Sequence, residues 1–312
     1  MDGIRLWSIA MTTLMYILIL LALASPSLAC DPNDCGCNVL CRLSPFVAVG
    51  MEPTDALAQT VRGKRFSEIT GDVCGHRVKL ASGMHLHGSL VLDEDALLQG
   101  SDPPIIDEYF INNGGEVTFN KRHPPMVGHL RQDFDDPANA WVIRDGQHVL
   151  YPMCLDALES VVPVADRLND LTPTMLKPST DIRQAETWTL PAGNSVLRID
   201  GFLRVRSGAV LTINGQPDSR VVVQVAGNMT LDNGAKVQLA GIDAGRVAWV
   251  VGGDRFVIVG STAESVGTII APGQDRLRIG TKATHRGALY GRFVKFGNRC
   301  VVEYVPFVGG MP

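Results

Sequence analysis

Aromatic residues make up only 6% of this 312-residue chain, and charged residues only 19%. So little charge, beside 46% hydrophobic residues, excludes a disordered polyelectrolyte and leaves ample material for a packed core. Few aromatics together with 32 glycines argue against a helical bundle and for a β-rich chain with many corners. Beyond Cys30 no apolar run is long enough to cross a bilayer, and the final PFVGGMP carries neither a hydrophobic anchor nor an LPxTG sorting signal. A strong overall charge is also missing: the net value is -4, and no nucleic-acid partner is expected. That small total conceals an asymmetry. Between Val196 and Val305 there are 14 Lys+Arg against 8 Asp+Glu, a net of +6, so the remainder sums to -10.

What the chain does have begins with an address. Arg5 precedes the uncharged stretch LWSIAMTTLMYILILLALA, then SPSLA and Cys30, the pattern of a secretory signal over residues 1–29. An extracytoplasmic protein follows, secreted or held on the cell surface or outer envelope. Cleavage after Ala29 would make Cys30 the first mature residue, the position of the lipidated cysteine in bacterial lipoproteins. Ser27 stands where such signals usually have Leu, and Ser27-Leu28-Ala29 suits ordinary signal peptidase better. Membrane contact is therefore expected only through a lipid on Cys30 or through an uncleaved signal helix.

Seven cysteines lie at or beyond that site: Cys30, Cys35, Cys37, Cys41, Cys74, Cys154 and Cys300. In an oxidising compartment thiols pair, and seven leaves one over. Cys30 is the natural odd member, which makes Cys35, Cys37, Cys41, Cys74, Cys154 and Cys300 the disulfide candidates. The cluster CDPNDCGCNVLC has four, one and three intervening residues, which is no zinc spacing, and export favours oxidation over metal.

RVAWVVGGDRFVIVG, from Arg246, places Gly-Gly-Asp between two apolar runs. Alone it would read as a hairpin. The pattern recurs, however, in units starting at Val221, Val247, Gly267 and Ala288, each a run, a Gly corner and a shorter run, at spacings of 26, 20 and 21 residues. A β-period near twenty marks a solenoid whose coils bury their apolar faces on one another. The expected fold is thus mainly β, a parallel β-solenoid (β-helix), with Gly252 and Gly253 at a corner where positive φ is tolerated. RVVVQV, RVAWVV and GTIIA are apolar at nearly every residue, as in strands covered on both sides. LRVR, KVQL and RLRI alternate, with basic residues outward.

The covering element is an α-helical segment over 154–170, whose Leu155, Leu158, Val162, Ala165 and Leu168 recur at helical spacing. Pro163 should kink or split it. HRVKLASGMHLHGSLVL alternates as well, so the solenoid domain is placed at 72–308, with a loop insertion at 93–151 and a Cys-rich segment and linker at 30–71.

The order of a β segment, a helix, LTINGQPDSRVVVQVAGNMTL, VAWVV, GTIIAP and a closing VEYVPF resembles the choice-of-anchor A family of bacterial surface proteins. That family shares a layout with ice-binding-protein β-helices, a helix lying along a parallel solenoid. The resemblance spans about residues 72 to 307 and rests on LTING, GTIIAP and the final PF rather than on a catalytic signature. It implies an exported surface or matrix domain.

Three chemistries are conceivable on that fold. Ice binding needs a regular hydroxyl face, whereas the wet strands carry Arg and Lys, and Thr212, Thr230 and Thr268 form no Thr-x-Thr ladder. A carbohydrate-active β-helix, a lyase or hydrolase, would use Asp254, Asp275 and Arg276, yet Asp after Gly is ordinary turn chemistry. His85 and His87 share one outward face, but no third ligand is apparent in sequence, and the acidic loop of Asp133, Asp135, Asp136 and Asn139 lacks EF-hand order. No metal, cofactor or catalytic residue is assigned. What remains is a basic stripe, Arg204, Arg206, Lys236, Arg276, Arg278 and Lys295, which stacked coils would line up against polyanions such as acidic polysaccharide or an envelope surface. The expected protein is a noncatalytic structural or adhesive element of the envelope, with the carbohydrate-active enzyme as the alternative.

Overall fold

The structure, a computed structural model, describes residues 40–308 except 41–42, 44, 52–59, 94–95, 99–101, 103, 113–116, 120–125, 129–147, 254–255 and 274–275. Its strands form three ten-stranded sheets, each coil of the chain giving one strand to every sheet. We call these sheet A, which holds Val247–Val251, sheet B, which holds Val257–Val259, and sheet C, which holds Glu264–Val266. Val247–Val251 pairs in parallel with Arg220–Val225 on one side and Thr268–Ala271 on the other. Gly252-Gly253 is therefore a corner between sheets and not a hairpin turn. The fold is the expected parallel β-solenoid with a helix along it.

The corner glycines serve a purpose other than the expected one. Neither Gly252 nor Gly253 has positive φ. A Cβ on Gly253 would instead sit 2.6 Å from the carbonyl carbon of Gly227 in the adjacent coil, so stacking distance, not backbone twist, demands glycine there. Each coil also has three strands where the sequence suggested two. In the coils nearest the join the third, such as Thr284–Arg286 or Val301–Glu303, is short and half polar and shows no apolar run, whereas Val210–Asn214 and Lys236–Ala240, five residues each on the same sheet, do alternate. Nor is the period fixed. Register partners differ by 17 residues at Val61 and Val78 and by 28 at Met229 and Val257, with most of the excess in corner loops and the rest in longer strands.

The stack is not built in chain order. Phe46–Gly50, Val61–Arg62 and Glu68–Thr70 form a coil in its middle, and the chain adds coils towards one end as far as Met126–Val127. The helix Leu150–Asn169 then carries it back, and Met175–Lys177 opens the opposite end. From there coils return until Leu289–Gly291, Val294–Phe296 and Val301–Glu303 pair with the first coil. The Tyr290 hydroxyl donates to the Phe46 carbonyl across this join at 2.9 Å. Phe46–Gly50, Val61–Arg62 and Glu68–Thr70, in the segment expected to be linker, are thus solenoid strands, and 93–151, expected to be long loops with one or two short strands, contains five: Ala96–Leu98, Ile105–Ile106, Phe110–Asn112, Val117–Phe119 and Met126–Val127.

Two apolar clusters hold the molecule. One fills the solenoid, from Val61, Leu80 and Phe110 to Trp249 and Phe296. The other lies between the outer face of sheet A (Val91, Ile111, Val222, Val250, Ile270) and the helix (Ala157, Val161, Val164, Leu168). Sheet A is covered on both faces, which is why its strands are continuously apolar. The helix spans about 30 Å of a stack about 43 Å long. Its buried face is Cys154, Ala157, Leu158, Val161, Val164, Ala165 and Leu168, one step round from the expected stripe, so Val162 is exposed. Pro163 neither splits nor ends it, because Pro163 lies on the solvent side, where water can satisfy the carbonyl it frees. Gln224 on sheet A caps the far end, donating through Nε2 to the Leu168, Asn169 and Leu171 carbonyls at 2.7, 3.2 and 3.0 Å.

Cys74 and Cys154 form a disulfide that ties sheet A to the first half of the helix. Cys300, expected to pair, is a free thiol buried in the solenoid interior, and burial pushes it up to about 11. The leftover cysteine among the described residues is therefore Cys300. Cys30, Cys35, Cys37 and Cys41, with the segment 1–29 expected to be a secretory signal, lie outside the described residues. Among the described residues no helix is long and apolar enough to cross a membrane.

Candidate functional site

Parallel stacking in register turns single outward residues into rows. Along sheet B one such row reads Leu97, Lys79, Arg62, Lys295, Arg278, Ile258, Thr230, Arg204, Asp181. Four successive members are cations. Each stands between inward neighbours that are fully buried, as with Lys79 between Val78 and Leu80 and Lys295 between Val294 and Phe296. The alternation of the strand fixes every one of them outward. With strands about 4.8 Å apart, the four heads are spread over about 14 Å along the solenoid axis.

These cations have no acidic partners among the described residues, whereas Lys177, Arg198 and Arg286 each have one. Lys64 and Arg276 flank the row. The Lys295 ammonium is held below the ordinary lysine value, first by partial burial and then by Lys64, Arg62, Arg276 and Arg278. Like charges are thus concentrated here without compensation from any described carboxylate, and an arriving anion would relieve them.

The expected stripe divides under this geometry. Arg276, Arg278 and Lys295 lie on or beside the row. Arg204 lies farther along it but is paired with Asp232 at 3.0 Å. Arg206 binds Asp181 at 2.7 and 3.0 Å through Nε and Nη2, and the two guanidiniums of Arg206 and Arg183 draw the Asp181 carboxyl down to about 2. Lys236 projects from sheet C, a different face, and is bound to Glu264 at 2.6 Å. Sequence reasoning missed Arg62 and Lys79. Val61–Arg62 is too short to show alternation, and although Lys79 lies in the alternating HRVKL, its place next to Arg62 and the place of Arg62 beside Lys295 depend on pairings that the sequence does not show, the second between residues some 230 apart in the chain.

Sheet C is mixed. His85 and His87 do point outward together, and Asp107 from the neighbouring coil lies against both. These two hydrogen bonds, that from His85 the stronger, hold the Asp107 carboxyl below its usual range. Near the other end Thr187 and Thr189 stand in register with Thr212 and Asn214, then with Gln238 and Ala240, so a hydroxyl patch begins but does not continue. Asp254, Asp275 and the loop of Asp133, Asp135, Asp136 and Asn139 lie outside the described residues.

Comparison with known proteins agrees with this architecture. Residues 179–310 match the model of a domain of unknown function, DUF7305. The choice-of-anchor A resemblance has only the sequence pieces quoted above behind it. No curated protein matches the chain. Among solved structures, the ice-binding protein of the Antarctic ascomycete Antarctomyces psychrotrophicus is similar at TM-score 0.52 and 17% identity, over 85% of this chain and 97% of that one. The ice-binding protein_1 DUF3494 domain of Shewanella frigidimarina gives 0.53 and 15%, over 85% and 97%. An ice-binding protein from an Antarctic biological consortium gives 0.50 and 18%, over 84% and 90%. At such identities the likeness is one of fold: this chain shares the helix-backed β-solenoid of those proteins.

Proposed function

We propose that this protein is an exported, noncatalytic element of the cell envelope or matrix that binds linear polyanions, acidic polysaccharide above all, along sheet B. One observation carries the reading: Lys79, Arg62, Lys295 and Arg278 stand in register on adjacent strands with no described carboxylate to neutralise them. A flexible chain of carboxylates or sulfates laid along the solenoid axis meets one cation per coil. The four side chains are half-buried with their heads at the surface, where each contact is worth roughly 0.2–1 kcal/mol, so useful affinity comes from the row as a whole and falls with salt. The outward placement of the four cations on short, regular strands, with no acidic side chain among the described residues set against them, supports binding over cleavage.

The test is retention of purified protein on a polyuronate column under a salt gradient, with the eluted polysaccharide sized afterwards. Wild type is expected to elute at moderate salt with the polymer intact. Replacing Arg62, Lys79, Arg278 and Lys295 by Gln should abolish retention, whereas replacing the ion-paired Arg204 and Lys236 should not. Elution of wild type at very low salt removes the proposal, and shortening of the polymer replaces it with the enzymatic alternative. Ice binding is the second reading. The shared fold and the patch of Thr187, Thr189 and Thr212 favour it, and the break of that patch at Gln238 and Ala240 opposes it; ice recrystallisation assays check it directly.

A further inference from the structure

We propose that His85, His87 and Asp107 form a binding site for a divalent transition-metal ion, of which Zn²⁺ is the reference case. The three side chains converge because of the solenoid register. His85 and His87 flank the inward Leu86 on the strand His85–His87, so both rings leave the same face. The next coil pairs Ile105 with His85 and Ile106 with Leu86, which sets Asp107, one residue on, opposite His87. The Asp107 amide holds that place by donating to the Leu86 carbonyl at 2.9 Å.

The donor atoms are already gathered. His85 Nε2 lies 2.6 Å from Asp107 Oδ1 and His87 Nδ1 lies 2.8 Å from Oδ2, with the two rings 3.7 Å apart between centroids. One ligand atom from each residue falls within 4.8 Å of the other two. A tetrahedral ion with bonds of about 2.05 Å needs its ligands about 3.3 Å apart, so the carboxylate has only to withdraw by roughly half an ångström. The side chains are 31%, 39% and 42% exposed, free to make that adjustment. Two imidazoles select against Ca²⁺ and Mg²⁺, which take oxygen ligands, and favour Zn²⁺, Ni²⁺ or Cu²⁺. Three protein ligands leave a further position facing solvent. Glu68, in register with His85 on the other side, adds negative charge nearby.

The site is distant in type from the cationic row: it lies on sheet C, and its occupancy does not depend on polyanion binding. Calorimetric titration of Zn²⁺ into the full chain, oxidised and with free thiols alkylated so that cysteines do not compete, is the experiment. One equivalent is expected, with Kd raised at least tenfold by His87→Ala and by His85→Ala, and raised less by Asp107→Asn. Circular dichroism melts establish that the variants are folded. A measurement on unaltered protein stands beside these: one bound equivalent of Cu²⁺ should show hyperfine coupling to two imidazole nitrogens in its electron paramagnetic resonance spectrum. Identical Zn²⁺ isotherms for wild type and the double His→Ala variant, or a Cu²⁺ spectrum without nitrogen coupling, would overturn the site.

Discussion

Lys295→Gln should act on stability and on binding with opposite signs. Lys295 stands between Arg62 and Arg278 in the sheet B row, and its replacement removes charge while keeping most of the stem that packs along the strand. If the heads splay to about 7 Å, each neighbour repels it by about 0.6 kcal/mol in water of dielectric 80, or about 1.2 kcal/mol for the two. At 0.15 M salt, with a Debye length of about 8 Å, this falls to about 0.5 kcal/mol. The variant should therefore be more stable than wild type at 10 mM salt, by about 2–4 °C in Tm, and indistinguishable from it at 0.5 M. Its affinity for polyuronate should meanwhile fall by roughly 1.4- to 5-fold, the worth of one exposed ion pair. The pH dependence has a fixed sign as well. Because the folded ammonium is held below the ordinary value, the unfolded state binds more protons just below pH 10.5, so wild-type stability rises with pH through that window and this contribution is missing from the variant. Thermal melts at two salt concentrations and column retention decide the matter. A variant destabilised equally at both salts and retained like wild type would refute the view of the row as an uncompensated set of charges.

Two further outcomes follow from the interior. His285 is buried on sheet C, its Nδ1 2.9 Å from the Ser265 hydroxyl, and burial pushes it down to about 4. Its unfolded value of about 6.5 lies higher, so stability is intact above pH 6.5 and is lost as pH falls towards 4, by roughly 3 kcal/mol in all; His285→Gln should flatten that limb in urea titrations from pH 7 to 4. Cys74→Ser opens a loop closed across 80 residues and should cost about 4 kcal/mol in urea unfolding, and an unchanged midpoint would show that the bridge constrains nothing.

The sequence alone determined the solenoid, because a coil that cannot bury its own apolar face must repeat, and runs such as VAWVV and TIIA record the doubly covered sheet A directly. It also placed the helix, whose 3.6-residue periodicity survives Pro163, though not its exact face. Third strands of two or three half-polar residues left no such record, and neither did the coil strands Phe46–Gly50, Val61–Arg62 and Glu68–Thr70, whose partners come from segments far apart in the chain. The same limit governs the sites. Alternation makes Arg278 and Lys295 outward in any reading, but only the stacking sets Arg62 and Lys79 beside them and gives Arg206 and Lys236 their carboxylates. Asp107 is the instructive case: it lies one coil, twenty residues, after His87, a distance meaningful only once the local coil length is known. Which residues face outward is local chemistry; which charges meet is decided by strands whose spacing varies with every corner loop.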